Sequence, residues 1–162
     1  MSGIKKKCIE IFLTIFYIGK IPFAPGTFGS FFGLLVAYFF YFFQIHFFFF
    51  FFFSLVFTVI AIPLVDVYEK DLQIHDHKSI VIDEFIGIFI SFFMIGWLEI
   101  NIFNLILTFV LFRFFDIKKP WIIKQVDMNV LGGLGVIFDD ILAGIGAGIL
   151  GIILIFSFSL LG

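Results

Sequence analysis

The stretch GGLGVIFDDILAGIGAGIL, residues 132–150, decides the fold, because two adjacent carboxylates interrupt a run of glycine, alanine and aliphatic residues. The run is long enough to enter a bilayer, where a spanning helix needs about 20 apolar residues. An ionised carboxylate costs roughly 2.5–3.5 kcal/mol at the bilayer centre. We therefore expect Asp139 and Asp140 to lie near a membrane boundary and to face a group that compensates their charge.

The composition is that of a membrane protein. Hydrophobic residues make up 62% of the 162 residues, and the mean hydropathy is +1.22, whereas soluble domains are about 45–50% apolar. The length predicts one domain over residues 1–162. The formal net charge of -2 argues against a nucleic-acid partner, and the single Cys8 excludes an internal disulfide.

The lengths of the hydrophobic runs predict an all-α, multi-helix integral membrane protein with four to five membrane-embedded helices. Residues 1–20 carry three lysines before an apolar stretch and no small-residue cleavage site, which favours a short N-terminal interfacial helix over a signal peptide. The phenylalanine run Phe47–Phe53 is expected to face lipid. Polar stretches divide the rest of the chain into five helices, predicted at about residues 29–43, 47–65, 84–98, 102–115 and 139–160.

The charged residues gather on one side of this layout. If each predicted helix crosses the membrane once, all ten basic residues lie on the same side, which the positive-inside rule makes cytoplasmic. Glu99, in the turn that also contains Asn101, lies on the far side. Five acids from three helix ends meet on the cytoplasmic side, and they are Asp83, Glu84, Asp116, Asp139 and Asp140.

This convergence predicts a metal site. Each acidic pair alone fits the ordinary preference of acids for the first turn of a helix. Five converging carboxylates would repel one another, however, and a divalent cation is the natural compensation. Hard oxygen ligands suit Mg²⁺, which also bridges to substrate phosphates. Because adjacent helical residues point about 100° apart, each pair is expected to supply one inward ligand and one supporting group.

Basic and glycine-rich segments beside the acids predict phosphate binding. In RFFDIKKPWIIK (113–124), the residues Arg113, Lys118 and Lys119 either bind a substrate phosphate or attract anionic lipid headgroups. In PFAPGTFGS (22–30), Thr27 and Ser30 either cap the next helix or help present backbone amides to a phosphate. In HDH (75–77), the histidines are metal ligands or, more in keeping with a polar loop, solvent-exposed.

Four motifs together resemble the phosphatidylglycerophosphatase A family, over most of residues 20–148. They follow one another with the expected spacing and read PGTFGS, HDHKSIVIDEFIG, FRFFDIKKPWIIK and GGLGVIFDDILAG. The resemblance implies a Mg²⁺-dependent hydrolase of the bacterial inner membrane that removes the terminal phosphate of phosphatidylglycerophosphate. It implies that the family's acidic pairs, lone aspartate and basic segment fall on the residues named above. The chain departs from the family pattern at Lys78, where glycine is expected nearby, and at Ile122, where proline is expected.

The resulting hypothesis is metal-assisted phosphomonoester hydrolysis at the cytoplasmic face of a multi-pass membrane protein, with an aspartyl-phosphate left open. One alternative is a small ion or solute transporter, although transporters place polar groups near the midplane, often in paired repeats. Another is a non-catalytic assembly subunit, in which Gly144 and Gly148 would pack against a partner helix. A homo-oligomer is also left open.

Overall fold

The computed structural model describes residues 3–96, 98 and 101–161, so the predicted position of Glu99 lies outside the described residues. The described residues are helical with no strand, which confirms the all-α class. A 3-10 helix, Ile18–Lys20, follows the first helix. The seven α-helices of the described residues are α1 (Gly3–Leu13), α2 (Pro25–Phe42), α3 (Phe48–Leu72), α4 (Ile82–Ile95), α5 (Ile102–Lys118), α6 (Ile122–Asn129) and α7 (Gly132–Leu161).

Three helices, α2, α3 and α7, are long and apolar enough to cross a membrane. The chain is therefore a membrane protein. Helix α4 has 14 residues, which corresponds to about 21 Å at 1.5 Å per residue and is shorter than the roughly 30 Å hydrocarbon layer. The prediction of several short embedded helices thus agrees with α4 and α5, whose length alone would not span the bilayer.

Helix α4 forms the centre of the bundle and packs against α2, α3, α5 and α7. Beyond its acidic first turn it is apolar on nearly all sides, which is typical of a buried helix, and Ile86, Ile88, Phe89 and Phe92 are almost completely inaccessible. Since lipid is as apolar as this core, close packing rather than removal from water holds the helices together.

The phenylalanine run at the start of α3 faces both lipid and core. Phe48, Phe49, Phe51 and Phe52 are exposed on the bundle surface, as predicted for a lipid-facing segment, but Phe50 is only 3% exposed. Its ring centroid lies 5.4 Å from that of Phe89 on α4, in an edge-on arrangement. The prediction that the whole run faces lipid is therefore wrong at Phe50, because one residue per helical turn points inward.

The helix boundaries around the two predicted polar stretches differ from the prediction. Helix α3 continues to Leu72, and the short helix α6 occupies part of the predicted polar stretch. Helix α7 begins at Gly132 instead of residue 139, because the Gly133 amide donates to Asp66 Oδ1 of α3 at 2.7 Å. That bond satisfies one of the free N–H groups at the start of a helix.

As a result, the second acidic pair lies two turns inside α7 and not at its start, contrary to the prediction. Farther along the helix, Gly144 and Gly148 face α4 of the same chain, where a Cβ at Gly148 would lie 2.7 Å from Met94 Cβ. These glycines therefore pack within the chain and give no support to the alternative of an assembly subunit that uses them against a partner helix, and the homo-oligomer stays a prediction.

Candidate active site

A cavity of about 440 Å³ opens at the end of the bundle where α2, α4 and α7 begin and α3 and α5 end. Basic residues of other segments lie at the same end. For example, Lys6 of α1 pairs with Asp71, near the end of α3, at 2.5 Å. The charged residues that line the cavity are Asp76, Lys78, Asp83, Glu84, Arg113, Asp116, Lys119, Asp139 and Asp140. The carboxylates outnumber the cations two to one, so the cavity carries an excess of negative charge when all are ionised.

Three carboxylates form the floor of the cavity. One oxygen each from Asp83, Glu84 and Asp140 lies within 4.8 Å of the others. Helix α4 supplies the first two and α7 the third, and close packing of these helices brings them together. Asp83 is 6% exposed and Asp140 is 4% exposed. We call these three residues the acidic triad.

The acidic triad has the chemistry of a cation site. Asp83 Oδ1 and Glu84 Oε2 are buried without any hydrogen-bond partner, although a buried charged oxygen is costly unless it is paired or coordinates a metal. Clustered carboxylate oxygens are the ligands that hard divalent cations prefer. The triad could therefore hold a metal ion, and its donor set fits the Mg²⁺ that the sequence resemblance implies.

The two acidic pairs contribute differently from what was predicted. Both members of the first pair, Asp83 and Glu84, belong to the triad, whereas one inward ligand per pair was expected. Of the second pair only Asp140 belongs to it. Asp139 Oδ2 instead accepts a hydrogen bond from Lys119 Nζ at 2.5 Å.

Arg113 connects α5 to the floor of the cavity. Its Nη1 donates to Asp116 Oδ2 at 2.5 Å and to Ser30 Oγ at 3.1 Å, and lies 3.9 Å from Glu84 Oε1. Its Nε is buried without a hydrogen-bond partner. Asp116 lines the cavity as predicted but pairs with Arg113, and it lies outside the triad.

Lys119 holds the two segments that flank the cavity. Its Nζ donates to Asp127 Oδ1 of α6 and to Asp139 Oδ2 of α7, both at 2.5 Å. Burial opposes its charge, but these hydrogen bonds outweigh burial and raise the pKa of Lys119 above that of a free lysine. Lys119 was predicted to bind phosphate, yet the structure commits its charge to carboxylates. Asp127 was missed, because it lies on a helix that the sequence did not predict.

Substituting Lys119 with methionine should destabilise the protein. Asp139 and Asp127 would lose the cation that they share. Removing one partner of a buried ion pair costs about 3–5 kcal/mol. Because Lys119 is partly exposed, we expect a smaller loss of about 2 kcal/mol in the free energy of unfolding. Thermal unfolding in detergent measures the effect. Lys70→Met, at an exposed lysine outside the cavity, should unfold like the wild type; equal melting temperatures for the two variants would contradict this role.

The remaining predicted phosphate binders divide into one at the cavity and two away from it. Thr27 lines the cavity. Ser30 is completely buried, donates to the Gly26 carbonyl at 2.8 Å and accepts from Arg113, so it supports the arginine. Lys118 is exposed and does not line the cavity. Neither Thr27 nor Ser30 caps a helix, because α2 begins before them, at Pro25.

The loop between α3 and α4 brings two unpredicted residues to the cavity. Asp76 and Lys78 line it, whereas His75 and His77 do not. His75 Nδ1 instead donates to Glu69 Oε1 at 2.8 Å, and His77 Nδ1 bonds to Ser79. The HDH motif is therefore informative through its central aspartate and not through its histidines. Sequence periodicity carried no signal for this, because the loop has no regular repeat.

Comparison with known proteins gives one consistent family. The family model described as Phosphatidylglycerophosphatase A matches residues 11–155. The phosphatidylglycerophosphatase A of Escherichia coli (strain K12) is 40% identical over 138 residues, covering 82% of this chain and 75% of that protein. The protein of the same name from Haemophilus influenzae is 36% identical over 139 residues, covering 86% and 83%.

A Bacteroides thetaiotaomicron protein, provisionally named a phosphatidylinositol-3-phosphatase, is 31% identical over 135 residues, covering 82% of this chain and 84% of that protein. No solved structure matches the chain. The family match includes every residue that lines the cavity, together with all four motifs of the sequence. On this extent of similarity, the chain belongs to the phosphatidylglycerophosphatase A family.

Proposed function

We propose that this chain hydrolyses the terminal phosphomonoester of phosphatidylglycerophosphate and releases phosphatidylglycerol and phosphate, a step in phospholipid biosynthesis. The reaction class and substrate come from family membership and from the names of two relatives. We further propose that Mg²⁺ is the cofactor and that the bacterial inner membrane is the location, with the cavity facing the cytoplasm.

The buried acidic triad carries the proposal. A cavity in which carboxylates outnumber cations two to one would repel a phosphate dianion. The unpartnered oxygens of Asp83 and Glu84 on its floor indicate that a cation belongs there. With that cation bound, the floor would attract phosphate, which reconciles an acidic cavity with an anionic substrate.

In the proposed reaction, a water oxygen forms a bond to phosphorus, the bond to the glycerol oxygen breaks, and a proton reaches that leaving oxygen. Asp83, Glu84 and Asp140 would hold Mg²⁺, which when bound supplies positive charge for the phosphoryl oxygens and makes water more acidic. Arg113, which lines the cavity and is held by Asp116 and Ser30, would place its positive charge beside the phosphoryl oxygens. Asp139, held by Lys119, would keep the adjacent Asp140 in position.

The distribution of charge supports the proposed membrane placement. The lysines and the arginine collect at the cavity end of the bundle, and the positive-inside rule assigns that end to the cytoplasm. Each of α2, α3 and α7 contains a segment that is long and apolar enough to cross a membrane, so acyl chains would stay beside these segments while the headgroup reaches the cavity. Gathering of carboxylates at one end also disfavours a transporter, which needs them near the midplane.

The decisive experiment is phosphate release by the purified protein from phosphatidylglycerophosphate in neutral detergent. We expect release with Mg²⁺ and loss of release when EDTA removes the metal, with recovery on adding Mg²⁺ back. Phosphatidylinositol 3-phosphate is the comparison substrate, since one relative is named for it, and we expect slower release from it. No release from phosphatidylglycerophosphate under any metal condition would overturn the proposal.

A further inference from the structure

Lys78 differs from the other cations of the cavity because its charge is uncommitted. Arg113 is paired with Asp116, and Lys119 is shared between Asp127 and Asp139. Lys78 also lines the cavity, yet within the described residues no carboxylate lies within ion-pairing distance of it. Its side chain is exposed, so it lies at the rim and not on the floor.

The loop that carries Lys78 is held by a set of side chains that have no other evident purpose. Glu69, which is 9% exposed, accepts from His75 Nδ1 and from the Asp76 amide, the latter at 2.6 Å. On the other side of Lys78, Ser79 bonds to His77 Nδ1 through its hydroxyl at 2.7 Å and its amide at 3.2 Å. These bonds fix the backbone on both sides of Lys78 and so fix where its side chain starts.

We propose that Lys78 binds the phosphodiester of the lipid substrate, the second anionic group of phosphatidylglycerophosphate. This inference rests on the proposed function. If the terminal phosphate occupies the floor beside the acidic triad, the phosphodiester lies one glycerol unit away, outside the floor. A phosphodiester anion at the rim of an acidic cavity would be repelled unless a free cation met it there.

Lys78 would therefore act as a specificity residue. It would favour lipids that carry a phosphodiester in addition to the phosphomonoester and would have little part in breaking the P–O bond. Because the interaction is the same before and in the transition state, its loss should raise KM and leave kcat nearly unchanged.

The test compares wild type, Lys78→Met and Lys78→Arg on phosphatidylglycerophosphate in neutral detergent micelles, which contain no other anionic lipid. We expect Lys78→Met to raise KM about tenfold, a size typical of losing one charge-assisted hydrogen bond at a partly solvated site, with kcat within about twofold. Lys78→Arg keeps the charge and should restore KM. Lys70→Met, at another exposed lysine outside the cavity, is the matched control and should behave like the wild type.

Two soluble inhibitors separate the substrate's own phosphodiester from a general effect of charge. Glycerophosphoglycerol phosphate, the deacylated substrate, carries both phosphates, whereas glycerol 3-phosphate carries only the monoester. Lys78→Met should weaken inhibition by the first and leave inhibition by the second unchanged.

An unchanged KM, or equal weakening of both inhibitors, would overturn the role of Lys78 while leaving the proposed activity intact. The same is true of a defect seen only in vesicles of anionic phospholipid, because the lysine would then contact bulk lipid. Failure of the proposed function is a different result, since the wild type itself would then release no phosphate.

Discussion

Asp83→Asn is expected to lower phosphate release by roughly three orders of magnitude. The substitution keeps the size of the side chain but removes a charged ligand from the acidic triad, whose oxygens lie within 4.8 Å of one another. Loss of the cation would remove several kcal/mol of charge stabilisation, at 1.36 kcal/mol for each factor of ten in rate. Phosphate release from phosphatidylglycerophosphate at saturating Mg²⁺ measures the effect.

Although Asp83→Asn should lower activity, it should raise the stability of the metal-free protein. Asp83 Oδ1 is buried without a partner, and an uncompensated buried charge destabilises the folded state. In EDTA, Asp83→Asn should therefore unfold at a higher temperature than the wild type, and added Mg²⁺ should raise the melting temperature of the wild type much more than that of the variant. A structural role alone would not give this pattern.

Asp71→Asn is the matched control, because Asp71 is an exposed carboxylate that pairs with Lys6 away from the cavity. It should retain full activity and the full stabilisation by Mg²⁺. Near-wild-type phosphate release by a folded Asp83→Asn protein would remove the acidic triad from the mechanism.

The meeting of distant acids could be predicted from the sequence because it depends only on how many helices separate them along the chain. Each helix reverses direction, so basic and acidic residues at alternate helix ends must share one side. The cavity accordingly collects all five predicted acids, Asp83, Glu84, Asp116, Asp139 and Asp140. Which of them face one another depends on helix rotation and helix contact, and apolar runs without clear periodicity leave that rotation undetermined.

The partners of the charged side chains could not be predicted for a related reason. Lys119 and Asp127 are eight residues apart, and they meet because Asp127 lies on α6, a helix that the sequence did not predict. Asp66 reaches the start of α7 from α3, a contact between residues 67 positions apart. Such caps leave no local signature, whereas a local cap such as Asn101, which accepts from the Asn104 amide at the start of α5, can be recognised from neighbouring residues.

Gly144→Leu is expected to disable the protein by forcing apart the two helices that carry the acidic triad. Gly144 lies one turn beyond Asp140 on α7 and faces the carbonyl of Gly87, which lies one turn beyond Asp83 on α4; a Cβ at Gly144 would overlap that carbonyl oxygen. Ser91 Oγ donates to the Gly144 carbonyl at 3.1 Å and depends on the same close approach.

Because backbone atoms cannot yield as a flexible side chain can, the leucine should cost at least the roughly 1–3 kcal/mol of an overpacked core. The displacement of α4 should also spread the carboxylates and lower activity by two orders of magnitude or more, on the reasoning that a misplacement of about 1 Å costs about 10²-fold. Gly151→Ala on the same helix is the matched control, since its Cβ would meet Ile95 Cγ2 at an ordinary 3.4 Å. Thermal unfolding and phosphate release should be measured on both variants. Wild-type activity in Gly144→Leu would mean that α4 and α7 do not need this contact to hold the acidic triad together.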